Sequence, residues 1–227
     1  MSAEPGKGGH PIILAMMLAL IAGYVDTLGF VALFGLFTAH ITGNFVLIGS
    51  ELVHAHNGVI IKLLAFPAFI AGVVLTRVLA IRMERAQHDP QALLFRLQAL
   101  LLIGFMAAGM WAGPRIDPHA LSAILAGMLG AMAMGIQNAG SRLVLTQLSP
   151  TTVMTGNVTQ LIIDLVDWAH NPSAPGVRER IQKFGWPILA FGLGALGGAT
   201  AFNLAGFPAL ALPAGMLMLL SAPRKAA

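Results

Sequence analysis

The chain contains no cysteine, which excludes a disulfide framework and thiolate chemistry and leaves the compartment unreadable from redox usage. Charge is scarce too. Only 10% of the 227 residues are Asp, Glu, Lys or Arg, against roughly 25% in a soluble domain. A chain this poor in charge cannot cover itself with a solvated surface. Catalytic signatures are also missing: there is no G-x-S-x-G, no H-E-x-x-H and no phosphate loop. An enzyme is therefore not expected. The histidines His40, His54 and His56 have no spacing that resembles a helical zinc pair and read as loop residues. No metal and no cofactor are expected.

What is present is apolar. Hydrophobic residues make up 57% of the sequence and the mean hydropathy is +0.80, so the chain reads as an all-α polytopic membrane protein whose first partner is the lipid bilayer. Its length leaves room for about six to eight spans of roughly 20 residues each, with no segment left for a separate soluble domain. The net charge of +4 fits the Lys and Arg excess of cytoplasmic loops better than a nucleic-acid partner. Met1–His10 looks like the n-region of a signal peptide. The apolar run Pro11–Phe37 that follows is far longer than a signal core of about 7–15 residues, and reads as a retained first span.

Eight apolar segments follow in order: Pro11–Phe37 (A), Ile41–Val53 (B), Val59–Met83 (C), Leu93–Trp111 (D), Ala120–Asn138 (E), Thr152–Trp168 (F), Gly185–Leu204 (G) and Phe207–Ser221 (H). B is too short to cross a hydrocarbon core of about 30 Å comfortably. If all eight crossed, the basic cluster Arg77, Arg82, Arg85 and Arg96 and the basic loop Arg178, Arg180 and Lys183 would fall on opposite faces, against the positive-inside rule. If B and F enter and return, six spans remain. Lys7, both basic groups, Arg142 and Arg224-Lys225 then share the cytoplasmic face with both termini. The outer loops keep Lys62 and Arg115, partly balanced by Glu51 and Asp117.

One phrase occurs twice. Thr42-Gly43-Asn44 returns as Thr155-Gly156-Asn157, and each copy follows a span with a polar break. The first break is Gly23-Tyr24-Val25-Asp26 and the second Gly135-Ile136-Gln137-Asn138. Glu51 answers to Asp164 in the same register, and Pro67 with Gly72 to Pro187 with Gly192. The pattern implies duplication of one unit, with repeat one over about 11–112 and repeat two over about 118–221 in a single membrane domain. With three crossings per unit the repeats are inverted, and B and F become two short broken or re-entrant helices.

Backbone that leaves helix inside hydrocarbon must satisfy its N–H and C=O groups internally. Thr and Asn side chains serve as caps, and Gly permits the dihedrals of a break. A half-helix start presents free N–H groups and about half a positive charge, which suits an anion or a carbonyl-bearing solute. The same caps also serve simply to seal the fold. Asp26 is the strongest single residue, because a carboxylate inside a span costs at least about 2.5–3.5 kcal/mol and by default faces a partner or a wet cavity. Asn138 takes its place in the second half. Asp26 is thus either a proton- or cation-responsive group or a lock bonded to Thr42 or Asn44. Glu51 and Asp164 fit the rims of the two mouths as well as they fit a role. Arg142 serves to attract an anion or to anchor the inner face. The face of Gly194 and Gly198 is a packing seam, joining either the two repeats or two protomers of a homodimer. Methionines in E belong to lipid-facing or core positions, or to a contact that repacks.

The ordered set Gly23-Tyr24-Val25-Asp26, Thr42-Gly43-Asn44, Gly135-Ile136-Gln137-Asn138-Ala139 and Thr152-Val153-Met154-Thr155-Gly156-Asn157 resembles the YoaK-like family, bacterial membrane proteins that share a domain of unknown function. The resemblance covers about Pro11 to Phe207 and implies a six-span protein of the bacterial inner membrane, with no substrate attached. From the residues themselves, the expected function is a secondary transporter or permease for a small polar or anionic solute, with Asp26 as the candidate group for proton coupling. Its expected midplane site is Asp26, Thr42, Gly43, Asn44, Gln137, Asn138, Thr155, Gly156 and Asn157. The second reading is a non-transporting assembly partner or lipid-binding component.

Overall fold

The computed structural model describes residues 9–54, 58–113 and 116–222. Lys7, His56, Pro114, Arg115, Arg224 and Lys225 of the charge and loop arguments lie outside them. Among the described residues the chain is helical and contains no strand. The helices are α1 (Gly9–Ala32), α2 (Gly43–His54), α3 (Val59–Arg85), α4 (Gln91–Ala112), α5 (Leu121–Leu143), α6 (Met154–His170), α7 (Val177–Ala205) and α8 (Ala211–Leu220), with a 3₁₀ turn over Phe207–Leu210. Five of them, α1, α3, α4, α5 and α7, are long and apolar enough to cross a membrane. The closing apolar stretch Phe207–Leu220 is shorter. At about 1.5 Å per residue it reaches roughly 20 Å, less than the hydrocarbon thickness of about 30 Å.

Local chemistry explains where the helices depart from the sequence segments. α1 stops short of Phe37 because Phe34 and Gly35 both take positive φ (54° and 76°), and the Gly35 N–H closes back on the Phe30 carbonyl at 3.0 Å. That is a helix-ending reversal in which a left-handed residue satisfies an otherwise free carbonyl. α5 runs on past Asn138 to Leu143, so the second polar break lies inside a continuous helix, as Asp26 lies inside α1. α7 begins at Val177, directly after Gly176 at φ 75°. Arg178, Arg180 and Lys183 therefore sit on its first turns and not in a loop. Pro67 and Pro187 lie within unbroken helices.

Helix directions follow from the tightest contacts. A methyl group at Gly194 would lie 2.1 Å from the Leu20 carbonyl oxygen, and one at Gly198 2.2 Å from that of Tyr24. Numbers rise together on both helices, so α1 and α7 run parallel. A methyl at Gly127 would lie 2.8 Å from the Ile61 side chain, and one at Gly72 2.3 Å from the Met132 carbonyl oxygen. Numbers rise together on α3 and α5 as well, so they are parallel. A methyl at Gly135 would lie 2.5 Å from the Phe69 carbonyl oxygen. Glycine lets these backbones touch where any side chain would force them apart. α4 runs antiparallel to α5, with Leu94 against Gly140 and Phe105 against Gly130. The 3₁₀ turn docks on α4 through Phe207, whose ring fills the space over Gly109, and Arg96 bonds Ser221 at the other end of α8. α2 packs on α3, and α6 on α7.

These contacts choose between two alternatives of the sequence reading and correct one of its matches. The glycine seam of α7 is used within the chain, against α1. The partner of Gly72 in the repeated pattern is also displaced. The shift that carries Phe69 to Phe191 carries Gly72 to Gly194, and Gly192 meets nothing within 4 Å.

Substitution distinguishes the two registers. Gly194→Ala and Gly135→Ala, each forcing a methyl into a carbonyl, are expected to destabilise the protein by about 1–3 kcal/mol. Gly192→Ala and Gly156→Ala, which have open space, are expected to be neutral or slightly stabilising. Thermal unfolding of the detergent-solubilised protein measures the difference, and equal losses at Gly192 and Gly194 would contradict the contact register.

Candidate functional site

At the first break, the chain leaves α1 and turns back before α2, which aims successive backbone N–H groups at the helix it has left. Asp26, 5% exposed, receives them on one oxygen. Its Oδ1 accepts the N–H of Thr38 and of Ala39 at 2.7 Å each, that of His40 at 3.4 Å, and the Thr38 hydroxyl at 3.3 Å. Convergent N–H groups of this kind form an anion-binding nest, and here the protein's own carboxylate fills it. Asn44, fully buried, closes the same loop on itself. It accepts the Phe37 N–H at 2.9 Å and donates to the Phe37 carbonyl at 2.8 Å. The expected lock between Asp26 and Thr42 or Asn44 is therefore replaced by bonds to Thr38, Ala39 and His40. Thr42 is exposed, and a methyl at Gly43 would press on the His40 and Phe37 rings at 2.9 and 3.0 Å.

The second break repeats the loop without the anion. Asn157 is 1% exposed and donates to the Pro150 carbonyl at 2.7 Å, as Asn44 does to Phe37. Pro150 has no N–H to return. Asn138 stands where Asp26 stands in the first half, and its amide donates to the Thr152 hydroxyl at 2.7 Å. Among the described residues no acceptor is found for the backbone N–H groups of Thr151 and Thr152. Thr155 and Gly156 are exposed.

Gln137 anchors a buried network. It donates to the Leu18 carbonyl at 2.8 Å and to the Thr151 hydroxyl at 3.1 Å, and accepts from Gln98 at 2.7 Å. The Thr151 hydroxyl also meets Ser141 at 3.0 Å. A void of about 10 Å³ beside Gln98 and Gln137 has about the room of one water, next to a Gln98 oxygen that has no partner.

The predicted residues thus form two groups. Asp26, Gly43 and Asn44 serve the first break, and Gln137, Asn138 and Asn157 the second. The bond from Gln137 to Leu18 fixes their offset, because Asp26 lies eight residues further along α1, about 12 Å at 1.5 Å per residue. Ile21, Ala22 and Val25 of α1 and Ala133 and Met134 of α5, all buried, fill the interval.

A larger space opens beside the second break. A cavity of about 380 Å³ is lined by Asn138, Ser141, Arg142 and Thr152, with Thr146, Leu148, Pro150 and Val153 around them. Arg142 is the one charged group in its wall. It is exposed, with no ion pair or hydrogen bond among the described residues. Arg142 is absent from the sequence-predicted site, because only the fold shows that it shares a cavity with Asn138 and Thr152.

The two acids that fit the mouths are both paired, Asp164 fully buried and Glu51 partly buried. Glu51 on α2 meets Lys62 on α3 at 2.6 Å, and Asp164 on α6 meets Arg180 on α7 at 2.7 Å. Lys62, expected in an outer loop, is 0% exposed and also donates to the Phe34 carbonyl, fixing the reversal that ends α1. Each pair ties a short helix to the long helix after it. The shared register of Glu51 and Asp164 was the available signal. Their partners stand at different spacings, so sequence pattern alone did not disclose them. Among the described residues no three His, Asp or Glu stand close enough to share a metal.

A profile of the family described as "Protein of unknown function (DUF1275)" matches residues 14–222. The "UPF0700 transmembrane protein YoaK" of Bacillus subtilis (strain 168) is 30% identical over 156 residues, which cover 67% of this chain and 66% of that protein. The aligned stretch thus spans just under two thirds of the relative's length. No solved structure matches the chain. With five apolar helices long enough to cross and a transmembrane relative, the chain is an integral membrane protein.

Removing one member of the buried pair should expose its worth. Lys62→Met is expected to cost about 3–5 kcal/mol, since it leaves Glu51 charged and unpaired away from water. Adding Glu51→Gln should recover most of that loss. Arg180→Met should cost less, because the Arg180 side chain is 42% exposed and water can replace it. Unfolding in detergent reads all three, and a Lys62→Met variant as stable as the parent would refute the pairing.

Proposed function

This chain belongs to the DUF1275 family, and we propose that it is a non-enzymatic membrane carrier for a small polar or anionic solute, built as an inverted repeat. The parallel pairs support the architecture. α1 with α7 and α3 with α5 make the same glycine-to-carbonyl contacts with the roles of the halves exchanged. With α1, α4 and α7 pointing one way and α3, α5 and α8 the other, α2 falls at one face and α6 at the opposite one. Six crossings then include the short Phe207–Leu220 as the sixth. Duplicated units in which half-helices enter from opposite faces are a recurring plan of secondary transporters.

Orientation follows from charge. Arg77, Arg82 and Arg85 end α3, Arg96 lies near the start of α4, Arg142 ends α5, and Arg178, Arg180 and Lys183 begin α7. These positions share one end of the bundle, which is the cytoplasmic end by the positive-inside rule. In this reading the start of α1 and the end of α8 lie there too, in a bacterial inner membrane.

The observation that carries the reading is the asymmetry of the two breaks. The first is sealed by Asp26, while the second opens into a cavity of about 380 Å³ holding an unpaired arginine. Open at one end and packed through the middle, this is the arrangement of a carrier facing the cytoplasm. In this reading Asp26 is the proton-coupling group. Protonation would weaken its hold on the N–H groups of Thr38, Ala39 and His40 and free the first break to open. The packed interval between the breaks favours a second reading, a non-transporting assembly or lipid-binding protein, and flux decides between them.

Purified protein in proteoliposomes should move a small anion across the bilayer, faster with an imposed pH gradient. Arg142→Gln should lower the flux about tenfold or more, the effect of losing one charge-assisted contact. Asp26→Asn should retain residual flux but lose its response to the gradient. Absence of flux across a panel of anions and small metabolites, from protein shown to be folded, would overturn the carrier in favour of the partner or lipid-binding role.

A further inference from the structure

We propose that the cavity at the second break binds the carboxylate of a small organic acid carrying one negative charge, with one oxygen taking the place that Asp26 Oδ1 takes in the first half. The inference rests on reading the two breaks as copies of one unit, and it names the solute class of the proposed carrier.

The first half supplies the template. There a carboxylate oxygen sits against the N–H groups of Thr38 and Ala39 at 2.7 Å each, with the His40 N–H at 3.4 Å. The shift that carries Asn44 to Asn157 carries Phe37 to Pro150, and with it Thr38, Ala39 and His40 to Thr151, Thr152 and Val153. Both loops are closed by the same asparagine-to-carbonyl bond, at 2.8 Å in the first and 2.7 Å in the second. The second loop therefore has the build of an anion nest, while Asn138 replaces the residue that would fill it.

The side chains around it agree. Thr152 is 2% exposed, and its hydroxyl oxygen already accepts from Asn138. Its proton has no acceptor among the described residues, and it lines the cavity. A buried donor without a partner costs about 1–3 kcal/mol, which an oxyanion in the cavity removes. The Thr151 hydroxyl, by contrast, is engaged by Gln137 and Ser141, leaving its backbone N–H for the ligand. Arg142 supplies the single positive charge in the wall and a planar fork suited to a carboxylate. No acidic residue lines the cavity. Leu148, Pro150 and Val153 provide an apolar side for a short carbon chain. A cavity of about 380 Å³ lies at the low end of the range for small-molecule sites.

The test measures binding apart from transport. Detergent-purified protein is titrated at constant ionic strength with acetate, propionate, acetamide and sulfate, followed by thermal unfolding and calorimetry. Acetate and propionate should raise the unfolding temperature saturably, and acetamide, which has the shape without the charge, should not. Arg142→Gln should weaken acetate binding about tenfold or more. Asn138→Asp, which restores an internal carboxylate, should abolish the acetate response and by itself unfold at a higher temperature than the parent. Should Asn138→Asp fail to fold, Arg142→Gln carries the decision. Equal responses to acetate and acetamide, a response to sulfate alone, or unchanged acetate binding in a folded Arg142→Gln variant would each overturn the proposal. Carboxylate binding without flux would leave this site standing and remove the carrier. Flux of another solute without carboxylate binding would do the reverse.

Discussion

Backbone that leaves helix where water cannot reach it must find partners within the protein, and this bundle is shaped by where those groups find them. At the first break an ionisable side chain on the preceding helix gathers the N–H groups of Thr38, Ala39 and His40. The loop is thereby held against α1, α2 can start at Gly43, and Glu51 on α2 comes within reach of Lys62. Lys62 in turn holds the Phe34 carbonyl in the reversal that ends α1. The chain of dependence is a closed ring: Asp26 fixes the loop, the loop places α2, α2 places Glu51, and Glu51 allows Lys62 to be buried where it caps α1. An unsatisfied backbone group in hydrocarbon costs several kcal/mol, so each link is held by the cost of breaking the next.

Glycine supplies the frame on which that ring sits. Helices in lipid gain nothing from burying apolar surface against one another, because the tails are equally apolar. Close backbone approach and the dispersion it brings are what remain. Gly194 and Gly198 against α1, and Gly72 and Gly135 at the α3–α5 contact, place such approaches at the same positions in each half. Leucines at 0% exposure, such as Leu18, Leu28 and Leu102, fill the remaining space, while Leu189, Leu193 and Leu196 on the outer side of α7 are exposed, as a lipid-facing surface requires.

Much of this was legible in the sequence because it depends on spacing. The doubled Thr-Gly-Asn phrase, the Asp26 and Asn138 positions and the shared register of Glu51 and Asp164 are patterns along the chain, and the fold gives each a place. What was not legible depends on helix direction and on loop length. Gly192 was matched to Gly72 because the loop before α7 is longer than that before α3, and prolines made a false anchor. Only the carbonyls of Leu20 and Met132 show that Gly194 is the match. Lys62 reads as an outer-loop charge until α2 folds back on α3. Thr42, Thr155 and Gly156 were weighted for belonging to a motif, yet they face outward, and in that motif the asparagine makes the bond to its own loop in both copies. Arg142 lacked a motif altogether. Its meaning comes from the cavity it shares with Asn138 and Thr152, which no pattern along the chain brings together.

The exchange of Asp26 for Asn138 is where the two halves differ in chemistry rather than in shape. Had the second half kept an aspartate, both nests would be filled from within and the bundle would be sealed at both ends. Had the first half lost its own, four donors would lie open at the far end, with no arginine in the wall to hold an anion there, since Phe30 stands where Arg142 stands in the second half. A duplicated unit that is to bind something reversibly must leave one copy of its anion to be supplied from outside, and must put a counter-charge beside that copy alone. In the proposed reading the chain does both at the same place. A neutral amide tethers the loop through Thr152 without supplying a carboxylate to the backbone donors, and an exposed arginine shares the cavity wall without the desolvation that a buried one would cost. The difference between the two breaks therefore traces to one exchange, Asp26 in the first half and Asn138 in the second.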